Sequence, residues 1–245
     1  MQRPRLMTRR FASILFAACL LLLAGCPALL RAQSAPDKPG VEFSCVVWEQ
    51  PPISAVVYRD GKSYLPLVFS LGNRSQLYPL KESSAFELYE KAVGADGTTT
   101  YKLVGKAPII AGARRMLFLI DQVANSTGLP LRVFGVNDAL DVFPPGTFRF
   151  VNFSSAALQV KFGGETNKLP AGEMRVVKSH VSPKGGFLPF FIGDASGKII
   201  FETRLFGQPT GRDMVFIGPP AKPGSAPMVK FLTEIIPPAP PKPGA

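Results

Sequence analysis

The chain has 245 residues, 46% of them apolar, with 28 basic and 17 acidic side chains and a formal net charge of +11. Five arginines fall within the first 32 residues, which carry no acid, so the remainder holds 23 basic and 17 acidic side chains, a balance of only +6. That mild excess, nowhere interleaved with aromatics, excludes a nucleic-acid footprint and leaves a weak preference for anionic surfaces, while 25 prolines and 23 glycines exclude long helices.

Arg3, Arg5, Arg9 and Arg10 are followed by an apolar run from Phe11 to Leu23, the charged and apolar regions of an export signal. Stretching that run through Cys26-Pro27-Ala28-Leu29-Leu30 gives about 20 residues, the length of a membrane span, but Pro27 and Arg31 interrupt it. Leu23-Ala24-Gly25-Cys26 resembles a bacterial lipobox, which would make Cys26 the lipidated first residue of the mature chain, held to a bilayer by about 0.8 kcal/mol per buried methylene. Cleavage after Ala32 or Ser34, which fit the small-x-small rule, is the alternative. Residues 1–32 are thus read as the signal and residues 33–40 as a polar tether. With Cys19 inside the signal, Cys45 is left alone, and its alternation with polar neighbours in Val41–Val47 places it in a core rather than at a reactive surface.

Strand-like segments follow: 41–49, 54–58, 62–70, 85–91, 101–106 and 114–122, with Arg59-Asp60-Gly61 and Ala95-Asp96-Gly97 as hairpin turns. Residues 131–143 read as a strand passing into a turn or a single helical loop. A second series follows at 147–153, 157–162, 173–179, 187–193, 198–206, 212–218 and 229–235, punctuated by Gly163-Gly164, Pro170-Ala171-Gly172 and Lys184-Gly185-Gly186. Nineteen phenylalanines, many in alternating runs, suit half-buried strands. The expected fold is all-β: two small antiparallel, immunoglobulin-like sandwiches at residues 41–140 and 141–236, then a proline-rich solvated tail at 237–245. An internal echo suggests duplication. Leu71-Gly72-Asn73-Arg74-Ser75 parallels Phe150-Val151-Asn152-Phe153-Ser154, and Arg114-Arg115-Met116-Leu117-Phe118 parallels Arg212-Asp213-Met214-Val215-Phe216.

Phe148-Arg149-Phe150-Val151-Asn152-Phe153-Ser154, with Leu158-Gln159-Val160-Lys161-Phe162-Gly163-Gly164 and Leu169-Pro170-Ala171-Gly172-Glu173, resembles a class of bacterial extracytoplasmic β-sandwich domains of unknown function. A similar pattern occurs in adaptor proteins of alginate acetylation. The resemblance covers about 30 residues, implies an envelope-facing, non-catalytic domain, and carries over no binding residue.

No chemistry is forced by the remaining motifs. The only histidine, His180, lies among turn residues without a Gly-x-Ser-x-Gly elbow, and reads as a loop residue. Asn137, Asp138 and Asp141 form the nearest oxygen cluster to a calcium loop, but Asx residues also make turns. Glu87, Glu90, Glu173 and Glu202 could supply paired carboxylates, yet solvent-facing strand positions explain each of them. Trp48, Tyr58, Tyr64, Tyr78 and Tyr89 could stack on sugars, with Trp48 expected in the core. Asn73, Asn125 and Asn152 begin Asn-x-Ser/Thr triplets, which a bacterial export signal makes poor glycosylation candidates.

The expectation is a non-catalytic cell-envelope protein, exported to the periplasm or lipid-anchored to the outer membrane through Cys26, with no catalytic, cofactor or metal residues. It would bind an envelope protein or polysaccharide as an adaptor or surface-assembly component. A periplasmic hydrolase of envelope glycans and a structural subunit of a surface or secretion complex are the alternatives.

Overall fold

A computed structural model of the protein describes residues 40–48, 55–122, 128–222 and 224–237. The expected signal with Cys26, the tether up to residue 39, the Asn125 triplet and the tail beyond Pro237 lie outside the described residues. Among those described, every regular element is a strand, and no helix is long and apolar enough to cross a membrane.

One sandwich is built from β1 (Val41–Val47), β2 (Val56–Asp60), β3 (Ser63–Pro66), β4 (Tyr78–Leu80), β5 (Ala85–Val93), β6 (Thr99–Pro108), β7 (Arg115–Gln122) and β8 (Leu131–Asn137). The other is built from β9 (Thr147–Asn152), β10 (Leu158–Phe162), β11 (Glu165–Leu169), β12 (Met174–Lys178), β13 (Gly186–Gly193), β14 (Ile199–Gly207), β15 (Gly211–Pro220) and β16 (Pro227–Ile235). The first has sheets in the order β3-β2-β5-β6 and β4-β1-β7-β8, the second β11-β10-β13-β14 and β12-β9-β15-β16. Adding eight to every strand number converts the first pair of sheets into the second. Both are immunoglobulin-like sandwiches with one departure from the antiparallel expectation: β1 runs parallel to β7, and β9 parallel to β15.

Two strands, β4 and β11, were not anticipated from the sequence pattern. β4 has three residues around Pro79, which an edge strand tolerates because its N–H is not needed by a second neighbour. β11, Glu-Thr-Asn-Lys-Leu, buries only Asn167 and Leu169 and so lacks an apolar alternation. The ambiguous 131–143 stretch resolves into β8 followed by a tight turn, in which the Phe143 amide donates to the Ala139 carbonyl at 2.9 Å.

Alternation along the strands assigns the faces. Phe43, Cys45, Val47, Met116, Phe118 and Ile120 enter the first core against Tyr58, Phe86 and Leu88. Phe148, Phe150, Val215 and Ile217 enter the second core against Phe162, Phe190 and Ile192. Cys45 is fully buried, as expected, and desolvation pushes its thiol well up. Glycine appears in β8 where nothing larger fits: a Cβ on Gly135 would stand 2.8 Å from the Phe118 ring and 2.9 Å from the Met116 methyl.

The other face of each inner sheet is also buried. Val46, Leu117, Leu119, Val136 and Phe143 meet Val151, Met214, Phe216 and Leu232 in a third apolar cluster. The two sandwiches therefore share a sheet-on-sheet seam, and the unbroken apolar run Met116-Leu117-Phe118-Leu119-Ile120 reads as a strand covered on both sides.

Candidate functional site

The seam has two chemically opposite ends, and strand register explains why. β7 aligns Arg115 with Glu42 of β1, and β15 aligns Arg212 with Thr147 of β9. Across the other neighbour, the Asp138 amide donates to the Arg115 carbonyl at 2.8 Å, and Glu234 of β16 stands opposite Arg212. Each inner sheet thus presents one arginine beside one carboxylate at equivalent positions. Counting along from there, Leu119 corresponds to Phe216, Phe134 to Lys230, and Trp48 to Phe153.

At the charged end the pairs cross-link the sandwiches. Asp138 Oδ2 lies 2.6 Å from Arg74, 3.1 Å from Arg212 and 3.3 Å from Arg115. Glu234 lies 2.6 Å from Arg212, and 3.0 Å from both Arg74 and Arg115. Arg149 donates to the Asn137 carbonyl at 2.7 Å, and Arg212 donates to the Asp138 and Phe143 carbonyls, both at 2.9 Å. The Phe143 ring supports both guanidiniums, 4.3 Å from Arg149 and 4.9 Å from Arg212. Main-chain carbonyls and an aromatic face therefore absorb the excess of cations over carboxylates.

Burial pushes the Glu234 carboxyl up, but Arg74, Arg212 and Arg115 outweigh it and hold the group below its ordinary value. Burial, opposed by Asp138 and reinforced by Arg212 and Arg74, lowers Arg149 to about 10, still charged at neutral pH. With both carboxylates clamped by guanidiniums from both sandwiches, this end locks the two together.

The other end is open. Trp48, Phe134, Phe153 and Phe216 line a cavity of about 80 Å³ with Leu119, Gly218 and Met228. Trp48 meets Phe216 edge to face at 5.3 Å, and Phe134 meets Phe153 likewise at 5.1 Å, so both sandwiches contribute rings. Polar groups stand at the rim: Asp121 is paired with Arg132 at 2.7 Å, and the Lys230 ammonium lies 5.2 Å from the Trp48 ring centre. Trp48, expected in the core, is instead half-buried here, one residue past the end of β1, where it packs against the apolar cluster of the seam.

Among the described residues, two other depressions are plainer in chemistry. One of about 670 Å³ lies among loops 154–158, 194–200 and 218–227. The other, about 230 Å³, lies on the outer face of the β3-β2-β5-β6 sheet beside Arg59, Ser83, Glu87 and Lys106. Glu87 is held there by Lys106 at 2.9 Å and accepts from the Tyr89 hydroxyl at 3.0 Å; the Lys106 hydrogen bond is foremost in lowering its pKa.

The remaining candidate residues scatter. Tyr58 and Tyr78 are core residues, whereas Tyr64 and Tyr89 meet on the outer face, where Tyr64 also stacks on Tyr101 at 3.8 Å. His180 is exposed in a loop, with a left-handed backbone at φ 46°. Among the described residues no three potential ligands gather for a metal; Asp138 of the oxygen cluster is committed to arginines, and Asn137 accepts from the Ala139 amide at 3.1 Å. Glu173 and Glu202 are exposed and Glu90 partly so, and none lines these cavities. Asn152 is buried, its amide donating to the carbonyls of Ala156, Leu169 and Pro170, which gives the Asn-x-Ser pattern a structural role.

Sequence reasoning did not anticipate the lock of Arg74, Arg115, Arg149, Arg212, Asp138 and Glu234. The signal available was an arginine amid buried residues, as in Phe148-Arg149-Phe150, which is fully buried in β9. The suggested echo also needs a correction. Matching Met116 to Met214 sets a core residue against a seam residue, whereas matching Arg115 to Arg212 keeps every face consistent; the one-residue slip inverts all of them. Asn73 lies in the loop between β3 and β4, so it has no counterpart in Asn152 at the end of β9. No known protein family matches the chain, and no curated protein matches it in sequence.

Proposed function

We propose that the protein is exported and serves as a non-catalytic binding or adaptor module of the bacterial cell envelope, receiving an apolar group of a partner in the cavity between its sandwiches. The observation that carries this reading is the aromatic cavity itself: a concave apolar site built by both halves with a few polar groups at its rim, the usual character of a recognition pocket. The non-catalytic part rests on the acids. Asp138, Glu234 and Glu87 are each held by cations, which suits them poorly to proton transfer. Export rests on the N-terminal arginines, the apolar run and the lipobox-like Leu23-Ala24-Gly25-Cys26.

Both parts are testable. The intact mass of the native protein, measured beside Cys26→Ala, is expected to show a chain beginning at Cys26 with acyl chains, absent in the variant; a full-length chain still carrying residues 1–32 would contradict export. Trp48 is the only tryptophan, so its emission reports on the cavity. Titration of the mature protein with N-acetylphenylalaninamide is expected to shift that emission saturably, and an unresponsive Trp48 would contradict the cavity as the binding site.

A further inference from the structure

We infer that the cavity receives an aromatic side chain of a partner protein standing next to an acidic residue. This rests on the cavity being the binding site and adds the chemistry of its occupant. At about 80 Å³ the space holds roughly half a dozen waters and, being open at its mouth, takes the leading part of one ring but no folded segment. The walls already pack ring edges against ring faces, at interplanar angles of 63° for Trp48–Phe216 and 81° for Phe134–Phe153. An additional ring extends that geometry, which aromatic quadrupoles favour over bare aliphatic contact.

The rim supplies the second half of the inference. Asp121 is satisfied by Arg132, whereas Lys230, over the Trp48 ring, has no carboxylate partner among the described residues. Among the described residues, the mouth therefore carries one positive charge with no carboxylate beside it. The matching ligand is a ring flanked by a carboxylate, which brings the missing anion to Lys230 as the ring enters.

The test compares three peptides on the mature full-length protein by Trp48 emission: acetyl-Asp-Phe-amide, acetyl-Asn-Phe-amide and acetyl-Lys-Phe-amide. The aspartate peptide is expected to bind about three- to fivefold more tightly than the lysine peptide, as one exposed charge pair allows. That preference should shrink in high salt, and Lys230→Gln should erase it. Equal affinities, or a preference for lysine, would overturn the acidic flank. Tighter binding of octanoate than of any peptide would overturn the aromatic residue. Failure of all the ligands, the neutral peptide included, would overturn the cavity reading itself.

Discussion

The two ends of the seam lie on the same strands and the same sheet faces, yet one is filled and the other is not. At the charged end, Arg115 and Arg212 each reach the carboxylate of their own sheet and of the opposite one. At the aromatic end, the equivalent positions Leu119 and Phe216, Trp48 and Phe153, bring rings together around space. A cross-linked buried charge cluster fixes geometry, because every group moved out of register loses a partner that water cannot replace. A repeated strand order thus holds its halves together at one end of their internal interface and leaves the other end open.

The most disruptive way to break this comparison is Asp138→Ala. It removes a fully buried carboxylate shared by three arginines, and stranding buried charges in this way costs about 3–5 kcal/mol. Denaturant unfolding should show that loss; a change below about 1 kcal/mol would mean that the charged end is not the lock.

A milder change is Glu234→Gln, with a loss of about 1.5–3 kcal/mol at neutral pH expected from its charge-assisted bonds. Because the folded-state pKa of Glu234 is depressed, its contribution is present above the unfolded carboxylate range and disappears as pH falls through the folded value. Wild-type stability should therefore decline on acidification more steeply than that of the variant. Parallel pH profiles would contradict this.

Asp213 sharpens the contrast from the same strand. It neighbours Arg212 in sequence but points to the opposite face, where the Thr233 hydroxyl is its hydrogen-bond partner, and desolvation raises its pKa. A raised carboxyl favours the protonated form in the folded protein, so its penalty appears as pH rises past the unfolded value and is complete above the folded one. Asp213→Asn should be more stable than wild type at pH 7, with the gain vanishing in acid; a loss at pH 7 would show that the Thr233 contact outweighs desolvation.

The smallest effect on stability belongs to Gly218→Ala at the aromatic end. A Cβ there meets Met228 at 3.6 Å, an ordinary contact, so stability should stay within about 0.5 kcal/mol while the added methyl narrows the cavity and weakens N-acetylphenylalaninamide binding. Unaltered binding would place the ligand elsewhere.

The sandwiches were legible in the sequence because their strands alternate cleanly: Phe43, Cys45 and Val47 on one face of β1, Phe148 and Phe150 on one face of β9. Glycine-bearing turns such as Asp60-Gly61 marked the hairpins. β4 and β11 escaped because one is interrupted by Pro79 and the other is mostly polar. The parallel pairs escaped because β1 and β7 are joined through five intervening strands, a connection that local patterns do not report. The seam was not legible: residues 114–122 read only as a strand, although the unbroken apolar run 116–120 is buried on both faces, and nothing local says that Arg115, Asp138, Arg212 and Glu234, spread over 120 residues, converge. Trp48 went to the core in the sequence reading because a lone strand tryptophan usually packs there; only the second sandwich turns its position into a cavity wall.

The most direct test of the account is an amide and indole chemical-shift map of the mature protein titrated with N-acetylphenylalaninamide. Saturable shifts are expected at the Trp48 indole, Phe134, Phe153 and Gly218, with Asp138, Arg149 and Arg212 unmoved. Shifts centred on Tyr64 and Tyr101, on loops 194–198, or on the arginine cluster would contradict the division of the seam into a lock and a receiving end.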